Sequence, residues 1–214
     1  MKKIKIYIII TICFICGITA GFSFHSYQQH KLLKETANEY IQLYIYASKN
    51  YDQYQHITAK EAENIITSME KTQRKEIKEY FKSSGLSVDD KQIQEIYKVS
   101  HKFLSSLSYQ TKIQKKSSTL AIVTVTCPQI NVAELEKTAT KNTIAKIDKN
   151  NIKKLNDSSD LFVEEIIHAF ETCNPSKETK TITFTLKKQS SKWTLEDTNQ
   201  FIADMNKVTI NGWK

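Results

Sequence analysis

Glycine and proline are nearly missing from this sequence, with 4 glycines and 2 prolines in 214 residues. So few turn-forming residues favour helix and exclude collagen-like and Pro/Gly-rich disordered classes. Arginine is scarcer still. Arg74 is the only one among 31 basic residues, so the side chain that best grips phosphate and guanine is almost absent and no nucleic-acid partner is expected. Catalytic signatures are also missing: there is no G-x-S-x-G elbow, no Gly-rich phosphate loop and no metal-binding H-E-x-x-H. The expectation is a non-enzyme without cofactor or metal. Finally, charge is missing from one long stretch, Ile6 to Phe24.

That stretch is the strongest positive signal in the chain. As a helix at about 1.5 Å per residue it would span ~28 Å, close to the ~30 Å hydrocarbon core of a bilayer. Lys2, Lys3 and Lys5 precede it, which places the amino terminus in the cytoplasm and the bulk of the chain outside. A cleaved export signal is the alternative, with small residues at Thr19, Gly21 and Ser23 offering cleavage sites. Lipidation at Cys13 or Cys16 is a third, opposed by the bulky Ile12 and Ile15 before them. A thiolate between apolar neighbours would be costly, so the pair is not read as redox-active. The expected organisation is a signal anchor or signal peptide over residues 1–27, then an extracytoplasmic domain over 28–214. Three of the +8 net charges are those lysines, leaving a modest excess that solvated surface lysines account for.

Beyond the apolar run, Leu33, Ala37, Tyr40, Ile41, Tyr44 and Ala47 recur at helical spacing over 32–50. Thr58-Ala59-Lys60-Glu61 reads as a capping box opening a second helix that stops at Gly85, and Asp89-Asp90 opens a third. The period then changes to 2. Residues 108–114 and 119–127 form a hairpin, with Pro128 ending the second strand. Asn131 starts a helix to about Ile147, 149–156 is a polar linker, and Asp157 or Ser158 caps a helix to Cys173. Thr181 to Leu186 alternates cleanly, Trp193-Thr194-Leu195 returns beside it, and Asp197 caps a last helix. The order ααα-ββ-αα-ββ-α is that of an α+β domain.

The segment TITFTLKKQSSKWTLEDTNQFIADM resembles the end of a nuclear-transport-factor-two-like (cystatin-like) domain. Together with ANEYIQLYIYASKNYDQY and TLAIVTVTCPQINVAEL, the layout resembles an uncharacterised family of Gram-positive cell-surface proteins, many of them lipoproteins. The resemblance implies helices wrapped on a small curved antiparallel sheet that encloses a conical cavity. It brings no catalytic residues to carry over.

Candidate functional residues are few. Cys127 and Cys173 lie at a strand end and a helix end, and outside the cytoplasm they are candidates for a disulfide or for two buried thiols. Tyr40, Tyr44, Tyr51 and Tyr54, with Trp193, are candidates for cavity lining or a partner surface, against core packing. Glu164, His168 and Glu171 share a helix face at ligand spacing, but an ordinary solvated charged face explains them better. The function expected is a membrane-held envelope protein that binds a protein, peptide or envelope polymer. An assembly or stress-response component, or a pocket enzyme, stand as alternatives.

Overall fold

A computed structural model describes residues 27–150 and 155–211. Helix α1 is described over residues 27–46. A 3-10 turn at Tyr51–Gln53 leads to α2 (Ala59–Ser83) and α3 (Asp90–Leu104). Strands β1 (Gln110–Lys115), β2 (Leu120–Pro128) and the two-residue β3 (Ile130–Asn131) follow, then α4 (Val132–Asn150) and α5 (Leu155–Thr172). The chain closes with β4 (Thr179–Gln189), β5 (Lys192–Leu195), α6 (Thr198–Thr209) and β6 (Ile210–Asn211).

The caps form where the sequence places them. Thr58 accepts the Glu61 amide, Asp89 and Gln92 form a reciprocal capping box, and Asp197 accepts the Gln200 amide. Glu61 departs from the expected box: its carboxylate takes the Tyr40 hydroxyl instead. α2 ends in a Schellman motif, with Gly85 at φ +72°. The Leu86 amide reaches the Phe81 carbonyl at 2.9 Å, and the Gly85 amide reaches that of Lys82 at 3.1 Å. The loop after α1 is tied back by Glu39, whose carboxylate accepts the amides of Gln55, His56 and Ile57.

Four strands make one antiparallel sheet in the order β1-β2-β4-β5. Ala121, Val123, Val125 and Cys127 of β2 alternate inward, and Val123 lies opposite Phe184 in the register. The architecture is α+β, as expected. Pro128 ends β2 as its last residue, as expected. Two local expectations are refined. The polar linker after Ile147 is narrower than the reading of 149–156, because α4 runs to Asn150 and α5 begins at Leu155. And β3 with β6 adds a two-residue parallel pair that was too short to show a period. The charge-free run 6–24 lies outside the described residues. Among the described residues no helix is long and apolar enough to cross a membrane.

The core has two parts. One packs α1, α2 and α6 on the inner face of the sheet, around Tyr40, Tyr44, Met69, Phe184, Trp193 and Phe201. The other joins α3, α4, α5 and the end of α2, around Phe81, Ile96, Leu104, Val163 and Phe170.

Candidate functional site

The tyrosines of α1 lie inside the molecule. Tyr40 and Tyr44 are fully buried, Tyr54 is 7% exposed and Trp193 is 2% exposed, while Tyr51 is half-buried against the same core. Phe201 of α6 sits among them, edge-on to Tyr40, Tyr44 and Phe184 with ring centroids 6.3, 6.1 and 4.9 Å apart. The reading of these residues as a partner surface is therefore corrected. A helical stripe reports that one face is covered, and here the sheet and α6 cover it. The inner face of the sheet, where the conical cavity was expected, is filled by these rings.

The hydroxyls of these tyrosines still need partners, and one of them anchors a buried network. His101 of α3 meets Gln73 Oε1 of α2 at 2.6 Å through Nε2. Since an amide oxygen only accepts, the ring donates there. Gln73 Nε2 then donates to Tyr44 Oη and to Asn206 Oδ1, both at 3.0 Å, and Tyr44 donates to Asn206 Oδ1. Asn206 Nδ2 donates to Glu76 at 3.3 Å. All donors thus run one way, from His101 to a carboxylate. Burial pushes His101 down to about 4, and the nearby Ile45 carbonyl offsets this only in part. The network ties α1, α2, α3 and α6 together through buried side chains.

Cys127 and Cys173 are free thiols, and the candidate bridge between them is not formed in the structure. Cys127 donates to the Pro128 carbonyl and Cys173 to that of Phe170. Burial pushes both up to about 11, which leaves little thiolate near neutrality. Glu164, His168 and Glu171 are all exposed on α5, with His168 and Glu171 4.0 Å apart. Among the described residues no group of three or more His, Cys, Asp or Glu is placed to share a metal ion.

A well-formed hollow lies elsewhere. An open cleft of about 440 Å³ separates the start of α4 from the end of α5 and the loop after it. Its floor is Phe103, Ile130, Leu135 and Ala169, and its walls are Asn131, Glu134 and Thr138 on one side and Asn174, Ser176 and Lys177 on the other. Local chemistry explains its shape. Asn131 caps α4 by accepting the Glu134 amide, which turns the chain sharply out of β3. Pro175 prevents α5 from continuing, and the loop is pinned by the Ser176 amide on the Gln129 carbonyl. The helix start at Asn131 and the helix end near Cys173 are legible in the sequence but the cleft is not, because Asn131 and Lys177 come to line one cleft only through the packing of α4 on α5. Cys173 is the one singled-out residue that lines it.

A model of a domain of unknown function, DUF5105, matches residues 27–210. The chain belongs to this family. No curated protein was found to match the sequence. Among solved structures, the DUF5105 chain is similar to a protein of Bacillus subtilis subsp. subtilis str. 168, described as a "putative lipoprotein (ycdA)", with a TM-score of 0.68 and 21% identity. The match covers 82% of this chain and 55% of that one, so the DUF5105 chain spans about half of its length. At that identity the likeness establishes a shared fold.

Proposed function

We propose that this DUF5105 chain is a membrane-held, extracytoplasmic binding domain that takes a protein, peptide or envelope component in the α4–α5 cleft and performs no catalysis. The cleft carries the reading. Its volume of about 440 Å³ lies in the range that proteins use to enclose ligands, and it combines an apolar floor with convergent polar walls. The envelope location is supported by the charge-free run 6–24 behind Lys2, Lys3 and Lys5 and by the description of the Bacillus protein of the same fold. A sheet covered by helices on its inner face supports the narrower likeness to nuclear-transport-factor-two-like domains.

Two measurements test this. On intact cells, external protease should degrade the domain, and protection until lysis would overturn the orientation. A photo-crosslinking residue at Thr138, exposed on the cleft wall, should capture a partner that the same probe at Ile144 does not. Ile144 is 54% exposed on the same helix but outside the cleft. Equal capture at both positions, or none at either, would remove the cleft as the binding site.

A further inference from the structure

We infer that the occupant of the cleft is an acidic peptide segment, a class that rests on the cleft being the binding site. The cleft does not end at Leu135. Asn131, Glu134 and Thr138 also line an adjoining, shallower hollow, which continues along α4 past Lys137, Lys141 and Asn142. The two form one groove that runs from Lys177 at the mouth of the loop, past Glu134, to Lys137 and Lys141 one helical turn apart.

Six of the described lysines, Lys31, Lys75, Lys78, Lys146, Lys187 and Lys207, sit within 4.0 Å of a carboxylate and most do not. What sets the three of the groove apart is that they line it together. Lys137, Lys141 and Lys177 have no carboxylate at that distance among the described residues, and all three are exposed. Three uncompensated cations along a single groove favour an anionic occupant.

The middle of the groove decides between anions. Glu134 stands between the lysines and lines the cleft together with Cys173. An unbroken chain of phosphodiesters would place a phosphate against that carboxylate. A peptide instead offers backbone N–H donors there and carries its acids at intervals. The walls match this alternation. Thr138 and the Asn174 amide hold both donor and acceptor capacity that no described residue uses, and Asn131 keeps its Nδ2 donors free, since only its Oδ1 is engaged at the cap. The floor of Phe103, Ile130, Leu135 and Ala169 accepts one apolar side chain between the acids.

The test uses the full chain, kept soluble in a mild zwitterionic detergent, with fluorescence anisotropy of labelled hexapeptides alternating glutamate with leucine or lysine with leucine. The glutamate peptide should bind saturably and the lysine peptide at least tenfold more weakly. Lys137→Glu with Lys141→Glu should weaken the glutamate peptide at least tenfold, whereas Lys82→Glu on α2 should not. Thr138→Trp, an exposed position that would fill the groove, should abolish binding. Unaltered circular dichroism would show each variant folded. Equal affinity for both peptides, or indifference to the Lys137/Lys141 charge reversal, overturns the acidic class. If binding of the lysine peptide is then lost in Thr138→Trp, the cleft survives as the site; if Thr138→Trp changes nothing, that reading falls as well. Poly(glycerol phosphate) binding where the glutamate peptide does not would replace the peptide by a polyanion.

Discussion

At the residue scale, the buried network is where one side chain matters most. Gln73 contacts His101, Tyr44 and Asn206 at once. Gln73→Leu therefore leaves the buried His101 Nε2–H without its acceptor and takes one bond each from Tyr44 and Asn206, which still hold each other. We expect a loss of about 2–3 kcal/mol in urea unfolding. His101 gives the same network a pH dependence. Its folded value of about 4 lies below the ordinary ~6.5, so the neutral ring favours folding above ~6.5 and the contribution fades as pH falls toward 4. The whole effect is about 3 kcal/mol. Urea midpoints between pH 7.5 and 4.5 should therefore fall more steeply for the wild type than for His101→Gln, and parallel profiles would contradict the assignment. The thiols yield a further prediction. Maleimide should label Cys127 and Cys173 slowly in the native protein at neutral pH, and fully after denaturation without reductant; failure to label the denatured, unreduced chain would reveal a bridge.

Elements in this fold are stopped and started by short-range chemistry. Gly85 ends α2 at φ +72°, and no atom lies within 4 Å of the place a Cβ would take. Gly85→Ala therefore meets no neighbour and is disfavoured through the backbone alone. A destabilisation of about 1 kcal/mol is expected by thermal melting, and Gly85→Asn should lose less. α6 shows a different dependence. It is short, and its one large ring, Phe201, occupies the centre of the aromatic cluster. Phe201→Ala should cost about 3–4 kcal/mol through the cavity left behind. These elements were readable in advance because a cap needs only residues three or four apart and a strand shows its period within six. The β3–β6 pair was not, since two residues carry no period.

For the whole molecule, a division of labour follows from the two-part core. α1, α2 and α6 close the inner face of the sheet with buried side chains. α4 and α5 pack on the second part, and the gap left at their ends becomes the groove. Function is thus expected away from the sheet, on the α4–α5 pair. The tyrosines of α1 serve packing.

The sequence by itself determined the α+β class, the order of the longer elements, most helix caps and the charge-free run, because each is written in residues close together along the chain. Tertiary structure alone decided which covered face meets which. Tyr44 and Asn206 are 162 residues apart and Gln73 and Asn206 133 apart, and Lys177 reaches the groove of α4 only because α5 turns back there. Periodicity specifies that a face must leave water, since that is a property of the side chains themselves. What replaces the water depends on the path of the whole chain.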